Sequence, residues 1–168
     1  MPVLVSGNPG AGKSTLTSEL VRRGWHALDA DRAPGLAAWM CADGTVVGDA
    51  TLPVTPELLE HHVWGWSADR LSTIVDQLGP DGVLLGIAVN QWDFTDLFDP
   101  LVLLELDPGT QRARVAGRHH LVREQIAAGL PVLQAQMIER GAIRIDATRP
   151  TPDVADDLAS ILQGRLRS

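Results

Sequence analysis

Apolar residues in this chain fall into short continuous runs separated by amphipathic stretches, a pattern that predicts strands alternating with helices. Runs at 2–6, 25–28, 83–89, 101–106 and 142–145 read as strands. The unbroken run at 83–89 suits a central parallel strand buried on both faces. A helix is predicted at 15–23, burying Leu16, Leu20 and Val21 and stopped by Gly24. A second opens with Thr55 as N-cap and Pro56 in its first turn. Its apolar face would carry Leu58, Leu59, Val63, Trp66, Leu71, Ile74, Val75 and Leu78, with a bend or split at Gly65. Asp107 and Pro108 open a third helix, running to about residue 117. Residues 124–140 are helical in character with an interruption around 129–131, and Thr151 and Pro152 open a last helix. Residues 33–55 are punctuated by Pro and Gly, with a short helical turn at 36–40 and one hairpin arm at 44–48. Five strands alternating with helices imply an α/β fold, a parallel sheet with helices on both faces and ligands at the carboxyl ends of the strands. The length suits one domain over residues 1–168.

Between the first strand and the first helix lies Gly-Asn-Pro-Gly-Ala-Gly-Lys-Ser, residues 7–14, which satisfies G-x-x-x-x-G-K-[ST] in full. Strand, glycine-rich loop and helix are the context in which backbone N–H groups wrap a phosphate and a helix N-terminus adds positive potential. Gly7, Asn8, Pro9, Gly10, Ala11, Gly12, Lys13, Ser14 and Thr15 are therefore the candidate nucleotide-binding residues. Lys13 can reach the β- and γ-phosphates, and the Ser14 hydroxyl can ligate Mg²⁺. Lys13 is the only lysine, and the other thirteen cations are arginines. A compact point charge is thus kept for the one place whose chemistry uses it.

Composition narrows the partners. Net charge is −7, which argues against a general nucleic-acid binder. One cysteine, Cys41, excludes an intramolecular disulfide. No apolar run reaches the length of a membrane helix and no signal peptide is evident, so a cytoplasmic protein, monomer or homodimer, is expected.

With the P-loop at the N-terminus, five strands and this length, the chain resembles the small P-loop kinases, the group of shikimate kinase, gluconate kinase and the nucleoside monophosphate kinases. The resemblance covers the whole chain and implies the P-loop NTPase three-layer α/β/α fold, ATP and Mg²⁺ as cofactors, and a small-molecule phosphate acceptor. Asp29 and Asp31, at the end of the second strand, are similar to the Asp-x-Asp of shikimate- and gluconate-type kinases. By that resemblance Asp29 holds the Mg²⁺ shell with Ser14, and Asp31 binds or deprotonates the acceptor hydroxyl. One carboxylate near the metal and one near the acceptor oxygen is also what phosphoryl transfer calls for. On a strand both would point the same way. The family's helix after strand four leads into a lid, here at about 118–130, whose arginines cover the nucleotide. Arg118 matches the lid-entry arginine and Arg123 a second lid charge, Arg114 and Arg149 are candidate nucleotide contacts, and Arg112 and Arg114 also fit a solvated helix face. Arg32, Arg70 and Asn90 are candidate acceptor contacts beside Asp31. The pattern departs from the family in two places: the third strand carries no Walker B acid, and the glycine triplet of shikimate kinase after it is missing.

Three readings stay open. One is a kinase of a small hydroxyl compound. Another is a nucleoside or nucleoside monophosphate kinase. The last is a nucleotide-binding module without transfer. Residues 90–93, Asn-Gln-Trp-Asp, are similar to the guanine-reading motif of GTPases but lack its lysine. His61, His62, Trp64 and Trp66 read as a partly buried aromatic helix face; in the functional reading Trp64 or Trp66 walls the acceptor pocket, as Trp39 and Trp92 could.

Overall fold

The computed structural model describes residues 1–165. In chain order its elements are β1 (Val3–Ser6), α1 (Lys13–Arg22), β2 (Ala27–Asp29), β3 (Ala37–Met40), β4 (Val46–Gly48), α2 (Pro56–His61), β5 (Val63–Trp66), α3 (Ala68–Leu78), β6 (Val83–Gly86), β7 (Leu101–Glu105), α4 (Pro108–Arg114), α5 (His120–Glu139), β8 (Ile143–Asp146) and α6 (Thr151–Arg165), with 3-10 turns at Ala30–Arg32 and Gln91–Leu97. Five strands form one parallel sheet in the order β2-β6-β1-β7-β8. Its central strands alternate two buried sets. Val3, Val5, Val83, Leu85, Val102 and Leu104 meet Leu16 and Leu20 of α1 and Leu158 and Leu162 of α6. Leu4 and Leu84 meet Leu71 and Ile74 of α3, and Leu103 meets Leu133 and Met137 of α5. Both faces are thus covered, which is why these strands read as unbroken apolar runs.

The predicted parallel sheet is present, with each strand ending within a few residues of its expected limits. The differences lie elsewhere. Residues 36–40, expected as a helical turn, contain β3, the middle of a second sheet with antiparallel order β4-β3-β5. Ala37, Ala38, Trp39 and Met40 are good helix formers, but pairing on both sides overrides that preference. The long helix expected from residue 55 is two helices with β5 between them. Gly65 explains the break: a Cβ there would come within 2.9 Å of the Met40 sulfur and 3.3 Å of the Asn90 carboxamide oxygen, so glycine lets β5 sit close to both.

The interruption expected around 129–131 is absent, and α5 continues through Pro131. Pro131 and Ala127, four residues before it, both lie on the exposed side, so the carbonyl that loses its helical partner faces solvent, while Ile126, Leu130, Leu133 and Met137 carry the buried stripe. The segment expected as the lid is therefore the α4–α5 turn and the first half of α5. Val21, expected in the core, is exposed.

Candidate active site

The P-loop joins β1 to α1 at the carboxyl end of the sheet. Gly7 leaves β1 where nothing larger fits, since a Cβ would lie 2.9 Å from the Leu104 Cβ and 3.0 Å from the Leu104 carbonyl oxygen. Gly12 is the N-cap of α1 with φ 83°, a left-handed conformation that turns the loop into the helix. A Cβ on Gly12 would meet nothing within 4 Å, so the positive φ and not crowding is what calls for glycine there. Asn8 is buried and closes the loop on itself, its carbonyl accepting from the Ala11 amide at 3.0 Å. Its carboxamide donates to the Leu130 carbonyl at 3.4 Å, tying the loop to α5. Pro9, Gly10 and Ala11 form the loop crest, and Thr15 follows in the first turn of α1.

Lys13 is buried, and its Nζ donates to the Gly7 carbonyl at 2.5 Å and to the Asn8 carbonyl at 3.5 Å. Burial lowers its pKa from 10.5 to about 8. The Asp31 and Asp29 carboxylates oppose this and the Arg118 guanidinium adds to it, which places all three within electrostatic reach of the ammonium. This charge is held inside the loop by neutral backbone carbonyls.

Asp29 ends β2 and Asp31 lies in the 3-10 turn that follows, so the turn rather than strand alternation orients the pair. The Asp29 Oδ1 accepts from the Asp31 amide at 3.0 Å. Its Oδ2 is buried with no hydrogen-bond partner, and the Arg32 guanidinium lies 3.8 Å away. The exposed Asp31 accepts from the Trp64 indole N–H at 3.1 Å. An orphaned buried carboxylate oxygen fits a divalent cation. Among the described residues no three His, Cys, Asp or Glu side chains cluster. Mg²⁺ bound with a nucleotide draws most of its ligands from phosphate and water, so Ser14 and Asp29, which line one groove, would be the residues to hold it.

A cavity of about 270 Å³ lies beside the loop, lined by Gly10, Ala11, Gly12, Thr15, Arg114, Ala147, Arg149 and Val154 among others. Arg114 straps it together, donating to the carbonyls of Gly10 at 3.2 Å, Ala147 at 2.8 Å and Thr148 at 3.2 Å. Arg149 pairs with Asp157. The Asp146 carboxylate accepts from the Thr148 hydroxyl at 2.6 Å and amide at 2.9 Å, and these bonds hold it below the usual carboxylate range. Arg118 stands exposed in the α4–α5 turn. Arg123 donates to the Ala116 carbonyl at 3.4 Å, a contact with the α4–α5 turn.

A larger groove of about 450 Å³ runs between α1 and α3 over the edge of β2. It brings together Ser14, Asp29, Arg32 and Arg70 above an apolar floor that includes Leu28 and Ile74. Arg70 donates to the Pro34 carbonyl at 2.9 Å. Asn90 does not face this groove with a free amide: its oxygen accepts from the Trp66 amide at 2.8 Å and its nitrogen donates to the Trp66 carbonyl at 2.9 Å. An acceptor contact was expected of it, but both ends of the carboxamide serve as a strand partner for β5.

Two relationships escape the sequence. Trp64 reaches Asp31 across 33 positions. Gln91, fully buried, accepts from the Ser6 hydroxyl at 3.0 Å beneath the loop. Neither pairing has a local spacing signal; the sequence pointed only to the regions, through Trp64 as a candidate pocket wall and through 90–93 after an apolar strand.

No protein-family profile matches the sequence, and no curated protein matches it. Solved structures do match. Shikimate kinase from Acinetobacter baumannii in complex with shikimate aligns at TM-score 0.60 and 16% identity, over 98% of this chain and 93% of that one. Deoxyadenosine kinase from M. mycoides with bound dATP aligns at 0.53 and 13%, over 100% of both chains. A gluconokinase from Sinorhizobium meliloti 1021 aligns at 0.52 and 14%, over 98% and 92%. At such identities the likeness is one of fold, which this chain shares with those three kinases.

Proposed function

We propose that this protein is an ATP- and Mg²⁺-dependent phosphotransferase that moves the γ-phosphoryl group to a hydroxyl of a small molecule. The observation that carries this reading is the buried Asp29 Oδ2 without a partner, in the same groove as Ser14 and beside the P-loop. Bound Mg²⁺ would neutralise charge on the β- and γ-phosphates. The P-loop amides and Lys13 hold those phosphates, and the cavity between the loop and the start of α6 takes the base. Ser14 and Asp29 supply the protein's share of the metal shell. Asp31 accepts the proton of the acceptor hydroxyl. Arg118 neutralises charge on the transferring group from the α4–α5 turn, with Arg123 joining it if the turn closes. Arg32 and Arg70 border the groove where the acceptor would lie.

A nucleoside acceptor is the second reading, favoured by the half-buried Trp39 and Trp64 beside Asp31, which suit a flat ring. A binding module without transfer is the third, favoured by β6 ending in Gly86, with no acid where Walker B would stand.

The test is calorimetry of Mg·ATP against Mg·GTP, followed by ADP release with pooled hydroxyl compounds, nucleosides and monophosphates. ATP binding with turnover by one pool supports the kinase reading, and splitting the pool finds the acceptor. Binding without turnover by any pool supports the module instead. Lys13→Ala abolishes turnover in a folded protein, and Asp31→Asn lowers kcat about 100-fold with nucleotide affinity little changed.

A further inference from the structure

We propose that Trp64 is a positioning residue for Asp31, and that the second sheet delivers it there. This rests on Asp31 as the acceptor base. Asp31 stands exposed on a three-residue turn, where a short carboxylate side chain has several rotamers open to it. Two contacts restrict it. The Asp29 Oδ1 holds its backbone amide at 3.0 Å, and the Trp64 indole N–H holds its Oδ1 at 3.1 Å. The second carboxylate oxygen is left for the acceptor. An indole suits this task because it donates one hydrogen bond and brings no charge. An arginine or lysine there would neutralise the base and compete with the substrate for both oxygens.

The indole is itself fixed from independent directions. Trp39, its register partner on β3, packs edge-on against it with ring centroids 5.5 Å apart at 70°. The Trp64 carbonyl accepts from the Val89 amide at 2.9 Å, and the next residue, Asn90, grips both backbone groups of Trp66. Val89 and Asn90 lie just past the carboxyl end of β6, next to β1 and the P-loop. The strand carrying Trp64 is thereby indexed to the same sheet edge that carries Asp29. The carboxylate and its donor are referenced to one rigid frame.

The test is a double-mutant cycle on the full chain: wild type, Trp64→Phe, Asp31→Asn and the pair. The assay is ADP release with Mg·ATP and the pooled hydroxyl compounds, and calorimetry gives Mg·ATP affinity. Trp64→Phe is expected to lower kcat about tenfold with Mg·ATP affinity within about twofold, and to lower it no further in the Asp31→Asn background. Asp31→Asn also moves the indole N–H resonance that Trp64→Phe removes. Should Trp64→Phe not fold, Trp39→Leu, which loosens the indole and keeps its N–H, replaces it in the cycle. An unchanged kcat, or losses that simply add, overturns the positioning role and leaves the kinase reading standing. A wild-type kcat in Asp31→Asn removes the base and this proposal together. If wild type turns over no pool, both this proposal and the phosphotransferase reading fall.

Discussion

Lys13 donates from Nζ to the Gly7 carbonyl at 2.5 Å, so its ammonium is held by the backbone of its own loop. Burial keeps its pKa at about 8, below the ordinary 10.5. Between those values the unfolded chain carries the proton and the folded protein does not. The lysine therefore costs stability at neutral pH, and the cost disappears as pH rises from about 8 to 10.5. The gap corresponds to about 3 kcal/mol. Lys13→Met should raise the melting temperature of the ligand-free protein at pH 7, with the gain shrinking toward pH 10.5. Phosphate favours the ammonium, so ATP affinity should be level below about pH 8 and fall above it. Calorimetry from about pH 6.5 to 9.5 reads this, and a flat profile counts against Lys13 as the phosphate ligand.

Asp29→Asn keeps the oxygen that accepts from the Asp31 amide and removes the charge of the orphaned Oδ2. The ligand-free protein should melt within a few degrees of wild type, because the relief of burying a carboxylate is offset by losing its attraction to Arg32, 3.8 Å from Oδ2, and to Lys13. Mg²⁺ should cease to tighten ATP binding, and transfer should fall about 100-fold. Equal tightening by Mg²⁺ in both proteins would remove Asp29 from the metal shell.

Two glycines of the loop should fail in different ways. Gly7→Ala drives a Cβ into the Leu104 backbone at 3.0 Å, and a loss of about 1–3 kcal/mol is expected in denaturant melts. Gly12→Ala meets no neighbour but must hold φ 83°, costing about 1–2 kcal/mol, and a methyl in that open space would crowd a phosphate bound in the proposed cradle. Its main effect should be on ATP affinity. Stability loss without affinity loss at Gly12 would misplace the cradle.

Asn90→Ala leaves the Trp66 amide and carbonyl without their partners, at a cost of about 2–4 kcal/mol. Because β5 also carries Trp64, kcat should fall with ATP affinity preserved. A folded variant with wild-type kcat and weakened acceptor binding would return Asn90 to a substrate contact.

How far the sequence reached depended on how local each signal was. The P-loop was legible because its spacing is itself the geometry: eight consecutive residues make the cradle between one strand and one helix. The strands of the parallel sheet were legible because burial on both faces leaves nearly continuous apolar runs. Asp29 and Asp31 were legible as a pair, but the reason for their orientation was not, since the turn after β2 replaces strand alternation.

Of the second sheet only the arm at 44–48, which holds β4, was legible, because the evidence for its other strands is long-range. Residues 37–40 take their strand form from partners at 46–48 and 63–66, and Gly65 is needed only because Met40 and Asn90 approach it. The same holds for Asn90, whose amide is spent on a backbone 24 positions away. Pro131 misled for the complementary reason: a local helix breaker is tolerated where the freed carbonyl faces solvent.

The sequence by itself determined the phosphate loop, the alternation of strand and helix, and the edge of the sheet where chemistry would gather. Each is written in contiguous residues whose spacing sets the backbone. Only the tertiary structure decided that Lys13 is buried near Asp29 and Asp31, that Trp64 holds Asp31, and that Arg114 straps the loop to the β8–α6 connection. Those pairings join residues far apart in the chain, and their energy appears only once packing has brought them together.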